Sequence, residues 1–413
     1  MNILHGNAVV GQSGGPTAAI NATLSGVIRG ALNFKKEGVI PTLFGMRNGI
    51  EGLLREDLVD LTARFFGNEE ELKTLEATPA AALGSCRRKL TYPEKEPETY
   101  EKLFEIFQKY DIRYFFYIGG NDSMDTVMKL SRYAKQKKYE LRVIGVPKTI
   151  DNDLELTDHT PGFGSAAKFI ATTVKEVLRD ISVYTVKAVT IVEIMGRDAG
   201  WLTTAAALPK LSGGIAPDLI YLPEREFDMD EFLSDVRAAL ERHPAVLVAV
   251  SEGIKFANGE YVGAGTQSGS VDAFGHKYLA GTGKVLEQTV KEKISCKVRS
   301  MELSLTQRCA SHVASLADIS ESVRVGEGAI SAAVSGKTGV MMTFERADKD
   351  GYTVSVGTAD INGIANKIKT VPDNFINEKG NFVTDECISY LAPLVLGELD
   401  VEYEFGMPKH III

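Results

Sequence analysis

The stretch from Tyr114 to Asp153 constrains this chain more than any other. It reads Tyr-Phe-Phe-Tyr-Ile-Gly-Gly-Asn-Asp-Ser, then a helix-compatible run, then Arg-Val-Ile-Gly-Val-Pro-Lys-Thr-Ile-Asp-Asn-Asp. Residues 112–118 are apolar apart from Arg113, which predicts a strand buried on both faces of a parallel sheet. Residues 124–138 read as the crossover helix and 141–146 as the neighbouring strand, which Pro147 ends because it cannot donate to a ladder. Neighbouring parallel strands open their C-terminal turns on one sheet edge, where ligands bind. One turn offers Asn121 and Asp122; the other offers Lys148, Asp151 and Asp153. A solvated turn would also carry such residues. Two such strand ends one helix apart favour a site for phosphoryl chemistry, provided anion-binding groups lie elsewhere in the chain.

Several stretches could supply them. Residues 8–17 run from an apolar strand through Gly14-Gly15 into a helix-forming run at 18–29. Glycines let backbone approach an anion, and the free N–H groups of a helix start favour negative charge. A phosphate loop and a plain turn both fit this stretch. No Walker motif is present, and Gly336-Lys337-Thr338 reads as a turn before a strand at 340–344. Residues 41–45 predict a second strand, with 49–54 as its turn. Arg87, Arg88 and Lys89 then follow Gly84-Ser85, as either a solvated charge run or an anion clamp. Residues 100–110 place Tyr100, Leu103, Phe104 and Phe107 on one helical face.

The second half repeats the pattern. A helix is expected from 161–165 through 180, and a strand at 188–194 ends in Met195-Gly196-Arg197. Strands at 219–222 and 245–250 follow, the latter ending in Ser251-Glu252-Gly253. Residues 253–283 are glycine-rich loop, 279–293 a helix and 298–305 a strand. Thr306-Gln307-Arg308 then leads into a helix through 335. Trp201, the single tryptophan, is expected to pack its loop; the tail at 353–413 mixes a strand with short helices and shows no motif.

A length of 413 residues is large for one core and predicts two lobes sharing a cleft. A content of 44% hydrophobic and 24% charged residues is that of a globular protein. The net charge of -9 disfavours a nucleic-acid or membrane-surface partner, both of which it would repel. Cys86, Cys296, Cys309 and Cys387 are scattered, which fits reduced thiols better than a disulfide frame or zinc site. The first residues lack the apolar core of a signal peptide, and no run has transmembrane length, so the expectation is cytoplasmic.

Taken together, Gly14-Gly15, Gly119-Gly120-Asn121-Asp122-Ser123, Pro147 to Asp153, Met195-Gly196-Arg197, Ser251-Glu252-Gly253 and Gln307-Arg308 resemble the 6-phosphofructokinases, in order and spacing, over residues 8–335. The Thr-Ile-Asp-Asn-Asp block is the most specific element. The resemblance implies an α/β fold of two interdigitated three-layer lobes with mostly parallel sheets. It divides the chain into a donor lobe at 1–155, a sugar-phosphate lobe at 156–335 and a C-terminal extension at 336–413. It also implies transfer of a phosphoryl group to the 1-hydroxyl of fructose 6-phosphate.

Roles follow from the same resemblance. Asp151 is the implied general base. Thr149 and Ile150 belong to the substrate-binding block, and Asp153 and Asn121 would hold Mg²⁺. Gly14 lies in the phosphate loop. Met195, Gly196 and Glu252 would line the sugar site, with Arg197 near the transferring group and Arg87 near the donor. Arg308 matches an arginine that reaches the sugar phosphate across a subunit boundary, which implies a homodimer or homotetramer. ATP-using bacterial relatives carry glycine where this chain has Asp122 and Lys148, whereas pyrophosphate-using members carry Asp and Lys. Asp122 would put volume and charge where the α-phosphate of ATP needs space. Lys148 would meet charge developing on the leaving phosphate.

Some positions depart from the family pattern. Asn121 stands where ATP-dependent relatives have a Mg²⁺-serving aspartate. Ala188 replaces a sugar-phosphate arginine, with Lys187 beside it as a substitute to consider. Cys309-Ala310 replace the glycine pair that commonly follows Gln-Arg, and a further phosphate-binding arginine downstream is not evident, with His312 or Arg324 as candidates to compensate. Pyrophosphate-dependent transfer is the leading reading. The alternatives are an ATP-dependent enzyme and a silent subunit that only binds sugar phosphates.

Overall fold

Alternation along β1 (Asn7–Gln12) sorts side chains to two faces. Ala8 and Val10 enter one apolar core with Ile20, Leu24 and Val27. Val9 enters another with Tyr100, Leu103 and Phe107. Both faces are therefore buried, as in a helix–sheet–helix sandwich. The computed structural model describes residues 3–264, 281–349 and 351–413. The expected glycine-rich loop falls partly outside these residues, at 265–280, as does the expected helix start at 279.

The first sheet takes β2 (Leu43–Met46), β3 (Leu58–Asp60), β4 (Ile112–Gly119) and β5 (Arg142–Pro147) in addition to β1. The chain then builds a second sheet from β6 (Ala188–Ile194), β7 (Leu219–Tyr221), β8 (Ala245–Ser251) and β9 (Lys297–Glu302). It returns to the first with β10 (Val340–Ala347) and β11 (Thr353–Asp360). The spatial orders are β11-β10-β5-β4-β1-β2-β3 and β7-β8-β6-β9. The second sheet is wholly parallel, and only the edge strands β3 and β11 of the first are antiparallel.

The helices that matter for the cleft are α1 (Ile20–Lys36), α2 (Asn121–Gln136), α3 (Phe163–Ile181) and α4 (Leu316–Val334). α4 brings the chain back by packing directly on α1. A Cβ on Gly26 would sit 2.0 Å from the Val323 carbonyl oxygen, and one on Gly326 2.3 Å from that of Thr23, so the crossing requires glycine at both. Residues 336–413 are accordingly not an appendage. β10 and β11 extend the first sheet, whereas Cys387, Ile388 and Leu391 enter the second lobe's core and Ile413 the first lobe's. Residues 49–54, expected as a turn, form a short helix packed beneath the cleft.

A buried ionic knot ties the crossover to both returning segments. His159 stacks on Phe344 with ring centroids 4.7 Å apart. Its Nδ1 lies 2.8 Å from Asp158 and its Nε2 2.8 Å from Glu321 on α4, and the Tyr352 hydroxyl donates to the same Glu321. Burial works against a charged ring, but bonds to two carboxylates outweigh it and raise the pKa. With both nitrogens facing carboxylates, both act as donors and the ring is an imidazolium. Its stabilisation is thus full below the ordinary histidine pKa and is lost as pH rises through the raised one. His159→Gln should lower the unfolding free energy by about 3 kcal/mol in denaturant titrations at mildly acidic pH, because it strands buried carboxylates. A loss within about 0.5 kcal/mol, the scale of a surface substitution, would show that the knot is not ionic.

Candidate active site

Three neighbouring parallel strands, β1, β4 and β5, end on the same edge and release the segments Ser13–Gly15, Gly120–Ser123 and Lys148–Asp153. Facing them, β6 and β8 release Met195–Arg197 and Glu252. These loops enclose a cleft of about 510 Å³. It is lined by Gly14, Arg87, Asn121, Asp122, Lys148, Thr149, Asp151, Asp153, Met195, Gly196, Arg197 and Glu252, together with Ser13, Lys89, Asn366 and Ile368. A groove of about 400 Å³ beside Arg29 and Phe66 gathers no comparable set, and its arginine is already paired with Glu69 and Glu76.

The donor side is knitted through backbone. Gly14 N–H donates to the Cys86 carbonyl at 3.1 Å, and the Ser13 hydroxyl donates to the same oxygen. Ser85 returns a bond to the Gly14 carbonyl at 2.5 Å. These contacts bring Arg87 into the cleft. Gly14 has φ +81°, and a Cβ there would lie 3.2 Å from Lys148 Nζ; one on Gly15 would lie 3.3 Å from Arg308. The glycine pair therefore makes room for two cations. Lys148 is 3% exposed and donates to the Gly15 carbonyl at 2.6 Å. Burial lowers its pKa to about 8, against the pull of Asp151 and Asp153.

The acid side is the mirror problem. Burial raises Asp151, against Thr149, which donates to its carboxylate at 3.3 Å, and against Lys148, Arg197 and Arg308. Burial, reinforced by repulsion from Asp151, brings Asp153 to about 7. Glu252 also rises to about 7 by burial, although it accepts the Gly196 N–H at 3.3 Å. The Arg197 loop must lie close to β8, since a Cβ on Gly253 would sit 1.9 Å from the Arg197 carbonyl oxygen. Gln307 is buried and accepts the Met195 N–H at 3.3 Å, so the Gln-Arg pair divides between holding that loop and presenting Arg308.

Several expectations change. Ile150 does not line the cleft; it is 6% exposed and packs in the second lobe's core, fixing the loop from below. Arg308 is not among the residues lining the cleft; it lies beside Gly15, within reach of the charges of Arg87 and Asp151. Asn121 and Asp122 open α2, which starts three residues earlier than its periodicity indicated. Asp122 is not a bare charge, because Lys89 pairs with it at 2.8 Å. Asn121 Oδ1 accepts the Asn366 N–H at 2.5 Å, and the side-chain Nδ2 donates to the Lys367 backbone carbonyl. Lys187 and Ala188 stand at the opposite end of β6 from the cleft, and Arg324 donates to the Val354 carbonyl.

Lys89 was visible as one of three adjacent cations. Asn366 and Ile368 carried no sequence signal. Among the described residues no group of three or more His, Cys, Asp or Glu side chains forms a metal cluster. Mg²⁺, however, uses one or two carboxylates together with phosphate oxygens and water. Asp151 and Asp153, one residue apart and both raised by burial, with Asp153 raised further by its neighbour's charge, fit that donor set.

Cations that outline a polyanion, facing carboxylates that could take a hydroxyl proton, define a phosphotransferase cleft between two α/β lobes. The chain belongs to the phosphofructokinase family, whose profile matches residues 7–333. It is 39% identical over 405 residues to the pyrophosphate–fructose 6-phosphate 1-phosphotransferase of Halomonas elongata, covering 98% of this chain and 95% of that protein. It is 41% identical over 410 residues to the enzyme of that name from Xanthomonas campestris, covering 98% and 96%. The crystal structure of pyrophosphate-dependent phosphofructokinase from Nitrosospira multiformis matches with a TM-score of 0.87 at 38% identity, covering 98% and 96% of the two chains.

The shifted groups set a pH profile. The roles expected from the sequence need Glu252 and Asp151 ionised and Lys148 protonated. We therefore expect kcat/KM for fructose 6-phosphate to fall as pH drops below about 7, and to fall again above about 8. Lys148→Met should lower the rate and remove the alkaline fall. A profile flat from about pH 6 to about pH 9 would contradict these assignments.

Proposed function

We propose that this protein transfers a phosphoryl group from pyrophosphate to the 1-hydroxyl of fructose 6-phosphate, giving fructose 1,6-bisphosphate and phosphate. The observation that carries the reading is a buried ammonium, Lys148, held at the Gly14-Gly15 loop across from Asp151. The names of its full-length relatives support the same donor and acceptor.

In this reading Asp151 accepts the proton of the sugar 1-hydroxyl as its oxygen attacks phosphorus. Its raised pKa suits a base working near neutrality. Thr149 orients that carboxylate. The bridging P–O bond breaks, and Lys148 meets the charge left on the departing phosphate. One such stabiliser is worth about 2.7–4 kcal/mol, or roughly 10²–10³ in rate. Arg197 and Arg87 flank the transferring and leaving groups. Gly196, Met195 and Glu252 frame the sugar, and Arg308 adds charge from the same chain. Asp153, with Asp151, would hold Mg²⁺, which supplies charge neutralisation for the diphosphate when bound. Asn121 is not assigned to the metal, since its amide is engaged by the segment 366–367.

Donor choice rests on the Lys89–Asp122 pair and Lys148. With Lys89 paired to it, Asp122 excludes the α-phosphate of a nucleotide by occupied volume more than by charge. Exchange of an anhydride for an ester leaves a modest driving force, so the reaction runs usefully in both directions of the glycolytic step. The donor side comprises residues 1–155 with the returning segments 316–360, and the sugar side the second sheet and its helices. No described helix is long and apolar enough to cross a membrane. We place the enzyme in the cytoplasm with its phosphorylated substrates, as a homodimer or homotetramer.

A coupled assay with Mg²⁺ should show turnover with pyrophosphate at least about 100-fold above that with ATP, the size of one electrostatic contact. Asp151→Asn should abolish it while fructose 6-phosphate still binds. Equal turnover with ATP would leave the ATP-dependent reading. Binding without turnover of either donor would leave a silent subunit.

A further inference from the structure

The tail that carried no motif crosses the cleft as a strap. We infer that residues 366–371 hold three active-site loops in register, and that Asn121 and Lys369 are positioning residues for phosphoryl transfer. The inference rests on the reading that the Asp151–Asp153 loop carries the chemistry.

At the donor end, Asn121 makes a two-way contact with backbone. Its carbonyl oxygen accepts the Asn366 N–H, and its amide donates to the Lys367 carbonyl. Only an amide side chain offers a donor and an acceptor side by side; an ionised carboxylate accepts only. This gives asparagine a task at the first residue of α2, directly before Asp122.

At the centre, Lys369 closes on the catalytic loop. Its N–H donates to the Asp153 carbonyl at 2.8 Å. Its ammonium donates to Asn152 Oδ1 at 3.2 Å and to the carbonyls of Thr157 and Asp158 at 3.1 and 2.8 Å, which uses all three of its donors. It also lies 5.3 Å from the Trp201 ring centroid, and the indole N–H donates to the Lys369 carbonyl at 2.9 Å. Asn152, between the two aspartates, has φ +53°. A non-glycine residue in that conformation persists where its surroundings hold it, and the Lys369 ammonium is one of those holds.

At the sugar end, the Val371 N–H donates to Glu224 Oε1 at 2.9 Å, and the same oxygen accepts the Gly200 N–H at 2.9 Å. Gly200 closes the loop that begins at Met195 and carries Arg197. One short segment thus touches the donor loop and the catalytic loop and, through Glu224, is tied to the sugar loop. Ile368, 47% exposed, and Asn366 line the cleft between these anchor points. Phosphoryl transfer depends on in-line placement of groups from both lobes, and a misplacement near 1 Å costs on the order of 100-fold.

The test uses Asn121→Ala, Lys369→Met and Asp151→Asn in the full-length protein, each assayed well below its own melting temperature. Asn121→Ala should lower kcat with pyrophosphate and fructose 6-phosphate at least about tenfold, with KM for fructose 6-phosphate within about twofold of wild type. Lys369→Met should give the same kcat loss, together with a change in emission of Trp201, the only tryptophan. If both variants turn over within about twofold of wild type, or if their losses match only the fraction unfolded, the strap is scaffold and the inference fails. If Asp151→Asn stays active, the catalytic reading has failed instead.

Discussion

Burying an ammonium without a matching anion is costly, and Lys148 sits nearly out of solvent with, among the described residues, a backbone carbonyl as its hydrogen-bond partner. Much of the cleft follows from that placement. Arg87 and Arg308 add like charge nearby, whereas Asp151 and Asp153 oppose it and are themselves pushed towards the neutral form. Cations crowd one side and carboxylates the other, and burial pushes Lys148, Asp151 and Asp153 alike away from their charged forms. A diphosphate would relieve the cations, and a metal ion the carboxylates. Ligands that resolve such a standing imbalance meet dipoles and charges already in place, which is the source of electrostatic preorganisation.

The fold maintains the imbalance by anchoring each group from outside the cleft. The Gly14 loop and the Arg87 loop share hydrogen bonds, so neither moves alone. Gln307 holds the Met195 loop, Glu224 holds Gly200, and the His159 knot secures the chain just after the catalytic loop. The segment 366–371 links these loops in one span. The C-terminal chain is therefore part of the site's frame, even though its sequence shows no chemistry of its own.

How much could be read in advance follows from what kind of signal each residue carries. The apolar runs at 112–118 and 188–194 announced buried parallel strands, and the loops after them announced the cleft, because strand ends on one edge must converge. Ile150 was misplaced because a motif names a block of residues and not the direction in which each side chain points. Asn121 looked like a metal ligand because its partners, the Asn366 N–H and the Lys367 carbonyl, are backbone groups some 240 positions away and leave no trace in local sequence. Lys369 was invisible for the same reason. Lys89 could be seen as a cation, but not that Asp122 would fix it.

The central claim is that Lys148 and the Lys89–Asp122 pair select the donor, and exchange of both positions tests it most directly. In Asp122→Gly/Lys148→Gly, kcat/KM with pyrophosphate should fall at least about 100-fold, and the ratio of ATP to pyrophosphate turnover should rise. Pyrophosphate turnover that survives unchanged in a folded double variant would contradict the account.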